Sequence, residues 1–317
     1  MAKAKILVKR RKSVRNTRKI TGTMEMVSTA KYKKSFTRIQ ASAPYQEKLR
    51  EVMSDLAGAS IEVEHPLLES RTVKRTLILL ITSNRGLCGG YNSNLCMTTR
   101  DLLVSERAAG ADVELHVVGK KGIQYFRHRG EKLAAANDRF GDRYRFADVN
   151  ALADDYIRRY SAHEVDKVVV VYQKFFSAGR QKPVADMLLP LDATIAGGPP
   201  AGDPATAPAT AAAVGTAGGA VPAAAAGTGS REKNYIFSPD PASLLRELLP
   251  AYVKTTLWND FLQSSVGEHL ARMLAMKNAT DAADKLIRRL TRAYNRARQS
   301  QITNEIAELM GGVEALK

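Results

Sequence analysis

"SSVGEHLARMLAMKNATDAADKLIRRLTRAYNRARQSQITNEIAELMGG" (264–312) contains no proline, and its apolar and small residues return every three or four positions. Val266, Leu270, Met273/Leu274, Ala279, Ala283, Leu286/Ile287, Leu290, Ala293/Tyr294, Ala297, Ile302, Ile306, Leu309 and Val313 fall on one side of an α-helix. No proline follows Pro250, and Gly311-Gly312 reads as a helix stop. From Leu257 to Val313 this predicts a rod of about 90 Å at ~1.5 Å per residue. So thin a stripe cannot make a core alone, and the rod needs a partner helix.

The partner stands at the other end of the chain. Residues 3–58 carry the same spacing at Leu7, Val14, Thr17, Ile20/Thr21, Met24 and Val27/Ser28, with Pro44 a candidate kink. Its length, about 80–90 Å, matches the first rod. Matched rods at opposite chain ends predict an antiparallel coiled coil, with the middle of the chain inserted between them.

That middle reads as an α/β domain. "VKRTLILLIT" (73–82), "VELHVVG" (113–119) and "DKVVVVYQKF" (166–175) are strands, and helical stretches at 92–109, 120–129 and 148–160 alternate with them. Such alternation predicts a parallel sheet with helices on its faces. "NYIFSPD" (234–240) would return the chain to the second rod. Residues 195–230 are nearly all Ala, Gly, Pro and Thr, with one acid and no Lys or Arg. That composition cannot build a core and predicts a disordered insertion. The expected division is 1–60 coiled-coil helix, 70–240 α/β domain including the insertion, and 245–317 coiled-coil helix.

Charge is concentrated. Of a formal net +16, residues 1–60 supply +11, from 15 Lys/Arg and 4 Asp/Glu. An anionic partner for this segment follows: nucleic acid, an acidic protein surface or a membrane face. The basic cluster 9–19 has no aromatic residue for base stacking, and no nucleic-acid module surrounds it. The two cysteines, Cys88 and Cys96, form neither a disulfide framework nor a zinc site and read as structural thiols of a reducing compartment. No apolar run reaches the ~20 residues of a membrane span. The N-terminus has no apolar signal core, and the helical pattern makes it part of the mature chain.

Chemistry is not suggested. "TSNRGLCGGYNSN" (82–94) sits where a phosphate loop would, between strand and helix, but has neither G-x-G-x-x-G nor G-x-x-x-x-G-K-[ST] spacing. Its glycines fit a tight turn. The five histidines are scattered, without metal-ligand spacing.

Several blocks, in order, resemble the γ subunit of F-type ATP synthases: "RKSVRNTRKITGTMEMVSTAKYKKS" (11–35), "APYQEKL" (43–49), "TSNRGLCGGYN" (82–92), "PDPASLLRELLPAYV" (239–253) and residues 264–316. The resemblance implies an antiparallel coiled coil of N- and C-terminal helices with an inserted Rossmann-like parallel-sheet α/β domain. It implies a non-catalytic rotor shaft without cofactor or metal, which couples ion-driven rotation to the catalytic β subunits. Its partners would be the α and β subunits, the ε subunit and the c-ring, not nucleic acid. The expected location is peripheral, on the cytoplasmic face of a bacterial inner membrane. By motif match, Met24, Arg298, Gln299 and Thr303 would face the catalytic subunits. Leu309, Met310, Val313 and Leu316 would form the tip in an apolar bearing. Gly22 stands where the family usually has a basic or larger residue, and Gln301 replaces a small one. The insertion lacks the cysteines of the chloroplast redox insert.

Overall fold

The structure, a computed structural model, describes residues 2–58, 65–69, 71–141, 144–191 and 241–314. The insertion at 195–230, the segment 234–240 and Leu316 lie outside the described residues. The elements are α1 (Ala2–Gly58), β1 (Arg75–Ile81), α2 (Tyr91–Ala108), β2 (Asp112–Val118), α3 (Lys120–His128), β3 (Ala135–Asn137), α4 (Phe146–Ser161), β4 (Lys167–Ser177), β5 (Arg180–Leu189) and α5 (Pro241–Glu314).

The five strands form one sheet in the order β3-β2-β1-β4-β5. The first four are mutually parallel, and β5 runs antiparallel to β4. The expected parallel sheet is present, with one antiparallel strand added at its edge. β1 lies at its centre, and "LILLI" is buried along its whole length because both faces are covered. Leu77, Leu79 and Ile81 point to one face, where α4 and the first half of α5 pack through Val149, Tyr156, Leu249, Val253, Leu257 and Phe261. Ile78 and Leu80 point to the other, against Leu95 and Cys96 of α2 and Ile123 and Phe126 of α3.

The turn from β2 into α3 is fixed by Gly119, with φ of 98°. A Cβ there would stand 2.2 Å from the Thr82 carbonyl oxygen, so only glycine fits. Both thiols sit in the α2 core, and burial pushes Cys96 up to about 11 and raises Cys88 as well. Neither should react with a thiol reagent at neutral pH in the folded full-length chain, and both should react after denaturation. Fast labelling of the native protein would contradict this burial.

The two rods are 57 and 74 residues long, about 85 and 110 Å. Each continues through its internal proline, Pro44 and Pro250, and α5 also runs past Gly311-Gly312 to Glu314. The expected glycine stop is thus not used. α5 also begins earlier than the periodicity indicated, because its first turns pack into the core under the sheet as well as beside α1.

Candidate functional site

The coiled coil is antiparallel. Gln46 donates to the Thr255 carbonyl (3.1 Å), the Ser35 and Ser265 hydroxyls meet at 3.0 Å, Thr280 donates to Thr21 (2.8 Å) and Arg18 pairs with Asp284 (2.6 Å). Partners on α5 step back as α1 advances. On α1 the seam recurs every seven residues: Leu7, Val14, Thr21, Ser28, Ser35, Ser42, Leu49, with its centre buried. On α5 it follows Met276, Thr280, Ala283, Ile287, Leu290, Tyr294 and Ala297.

On the α1 side, aliphatic residues do not fill the middle of this seam. Ile20 and Val27 are 59% and 56% exposed, while the neighbouring Thr21 and Ser28 are buried. Short hydroxyl side chains let the helices approach until their oxygens bond across the gap. At roughly 1 kcal/mol per hydrogen bond, such contacts fix register more than they add strength. Leu274, Leu286 and Ile302, also on the expected stripe, stand more than 40% exposed for the same reason of register.

The distal coil is a basic belt. From Lys3 to Lys19 there are nine Lys/Arg and no acid, and from Lys285 to Arg298 there are six and no acid. Together they nearly equal the chain's whole net charge of +16. Some tie the helices together: Arg18 holds Asp284, and Arg11 lies 5.1 Å from the centre of the Tyr294 ring. Lys9, Arg10, Arg15, Lys19, Arg288, Arg289, Arg292 and Arg296 are exposed. They project a single sign of charge in every direction they face.

The expected site residues fall at separate heights. Met24 is half-buried on α1, level with the start of the free coil. Arg298, Gln299 and Thr303 are exposed on α5, about 30 Å further along the rod by the ~1.5 Å rise. Thr303 bonds back to the Gln299 carbonyl (3.0 Å), so its hydroxyl is used within the helix. Continuing the pairing register, Ala2 stands level with about residues 300–303. The last turns of α5 therefore extend beyond α1. They carry Ile306, Leu309 and Met310, at 55%, 71% and 68% exposure. Val313 lies on the same final turn of helix.

Where the rod leaves the domain, α5 is gripped from several sides. The buried Arg272 donates to Glu268 one turn back (2.7 Å) and to the carbonyls of Arg85 and Gly86 (3.2 Å each). Tyr91, also in this loop region, meets Ser264 (2.7 Å). Opposite, Gln263 accepts from the Phe175 amide (3.3 Å), and Phe175 packs on Phe36 and Tyr32 of α1. The glycine-rich loop 82–94 thus serves as a clasp on a helix. The clasp was missed in the sequence because an i,i+4 Glu–Arg pair usually marks an exposed face. Among the described residues no group of three or more metal-ligating side chains forms, and no helix is long and apolar enough to cross a membrane.

Residues 3–316 match the family model described as ATP synthase. The chain is 40% identical to the ATP synthase gamma chain of Rhodopirellula baltica and 38% identical to that of Gemmatimonas aurantiaca, covering all of both chains in each case. Among solved structures it is similar to a chain of the Euglena gracilis mitochondrial ATP synthase assembly containing OSCP, F1 and c-ring. The TM-score there is 0.61 at 17% identity, covering 99% of this chain and 95% of that one.

Proposed function

The chain belongs to the ATP synthase gamma chain family, and from that premise we propose that it is the non-catalytic central shaft of a rotary, ion-translocating ATP synthase. One observation carries the proposal: α5 is at once a layer of the α/β core and one strand of the projecting coil. A turn imposed on the domain is therefore delivered along one unbroken helix. In this reading the α/β domain meets the ε subunit and the c-ring, peripheral to the membrane on its cytoplasmic, bacterial face. The coil stands within the α and β subunits. Its asymmetric surface stabilises one set of catalytic-site conformations at each angle, and in this way also governs ATPase activity and ion flow. The belt fits a protein sleeve of opposite charge and calls for no nucleic acid.

Met24, Arg298, Gln299 and Thr303 are the proposed contacts with the catalytic subunits, at the two heights described. The overhang with Leu309, Met310 and Val313 is the proposed bearing tip, together with Leu316, which lies outside the described residues. The direct test is reconstitution with ATPase α and β subunits, followed by observation of a probe fixed to the α/β domain. ATP-driven stepwise rotation of the probe is expected. A chain that does not assemble with those subunits, or a complex that hydrolyses ATP with a motionless probe, would overturn the reading. A finer test is Met24→Lys in vesicles carrying the whole complex. A charge placed in a surface built for sliding should lower ion pumping several-fold while hydrolysis persists. Unchanged pumping per ATP would remove Met24 from the contact set.

A further inference from the structure

Between β2 and α4 the domain buries a histidine that the shaft reading does not use. His116 is 6% exposed, and its Nδ1 lies 3.1 Å from the hydroxyl oxygen of the fully buried Tyr156. Its Nε2 faces Glu114, 3.9 Å from Oε2, an oxygen already taken by Arg159 at 2.8 Å. Among the described residues the Tyr156 hydroxyl has no other hydrogen-bond partner. A phenol has one proton to give, and a neutral imidazole has one nitrogen to receive it. Both needs are met when Nδ1 accepts from Tyr156 and the ring proton sits on Nε2, toward Glu114. We propose that His116 is an acid-sensitive joint, which holds α4 to β2 while neutral and releases it when protonated.

A proton taken from solvent turns both ring nitrogens into donors. Nδ1 then gives to the Tyr156 oxygen, and the phenol proton is turned into an apolar core without an acceptor. A buried donor left unpaired costs more than an ordinary hydrogen bond returns. The charged surroundings are few. Facing the imidazole are Glu114 of its own strand and Tyr156, Asp155 and Arg159 of α4. Its register partners, Leu79 on β1 and Ala135 on β3, carry no charge. Arg159 also holds Glu164, at 3.2 Å. Burial first, and the Arg159 charge second, keep the imidazole below its ordinary value, against Glu114 and Asp155. The effect reaches the shaft through α4. Val149, Ala153 and Tyr156 share one core with Leu249, Val253, Leu257 and Phe261 of α5, and Asp154 pairs with Lys254 at 2.6 Å. Loosening α4 from the sheet therefore loosens the seat of α5.

The sign of the linkage is fixed. Below about 6.5 the unfolded chain takes a proton on this residue that the folded chain refuses. The contribution of His116 to stability is complete above that pH and is lost as pH falls through the folded value. The test uses the full-length chain. Long-range proton–nitrogen NMR spectra at neutral pH should show the His116 ring protonated at Nε2 and bare at Nδ1. Tyr156→Phe has no phenol proton to strand, so His116 should titrate at higher pH in that variant than in the wild type. Denaturation at falling pH should give a wild-type unfolding constant that rises, relative to His116→Gln, by up to tenfold per pH unit below about 6.5. The spectra of the wild type and Tyr156→Phe decide the matter even if His116→Gln does not fold. A proton on Nδ1 at neutral pH, a titration unmoved by Tyr156→Phe, or parallel stability profiles for wild type and His116→Gln would each overturn the joint.

Discussion

Arg272→Ala should destabilise the full-length chain by roughly 3–5 kcal/mol, the cost of breaking a buried ion pair from one side. The guanidinium lies inside the junction of α5 and the loop after β1, satisfying two backbone carbonyls and compensating Glu268. Alanine removes the Arg272 donor from all three at once, together with its contact to His269. Lysine keeps the charge but not the fork, and should recover only part of the loss. Removing Glu268 as well should cost less than the two single changes added together, because the two groups interact directly. Chemical denaturation of the four proteins measures this directly. A loss under about 1 kcal/mol for Arg272→Ala would mean that the clasp is ornamental. In the assembled complex the same variant should hydrolyse ATP yet transmit reduced torque, since the loop no longer holds the helix.

Phe261→Ala should cost a similar amount, roughly 3–5 kcal/mol, by a different mechanism. Phe261 is fully buried, with ring centres 5.4 Å from Phe140 and 5.0 Å from Tyr144. Truncation leaves a void between α5 and the sheet that surrounding aromatics cannot close without losing their own edge-to-face contacts. Phe261→Leu should restore more than half of the loss. Equal stability of the alanine variant and the wild type would show that α5 does not depend on this packing. The position matters because it lies where domain layer becomes projecting rod.

Much of this architecture was legible from periodicity, and the exceptions have identifiable causes. Both rods follow from three- and four-residue spacing, and the central strands from unbroken aliphatic runs. The seam register was not legible, because Ile20 and Thr21, or Val27 and Ser28, are adjacent and equally compatible with the spacing. Hydropathy favours the aliphatic member of each pair, whereas close helix approach selects the hydroxyl. β5 escaped notice because "RQKPVADMLL" mixes charges and Pro183, as a sheet edge tolerates and a central strand does not. β3 is three residues long and has no pattern to read. The site residues at 24, 298, 299 and 303 came from resemblance alone. No spacing rule distinguishes them from other polar positions on a helix. Asp260, a buried acid on α5, gave no signal either, since an aspartate between Asn259 and Phe261 looks like any exposed helical acid.

The pairing of the first helix with the last has a consequence for biosynthesis. α1 leaves the ribosome first, and its mate begins nearly two hundred residues later. At ~5–20 residues per second, the nascent α1 waits at least about 10–40 s before that mate starts to emerge. A helix with a broad aliphatic stripe would spend that interval exposing an adhesive surface. Threonines and serines in the seam, flanked by lysines and arginines, leave little for chaperones or other nascent chains to seize. The same hydroxyls that align the finished rod thus keep its first half harmless during translation.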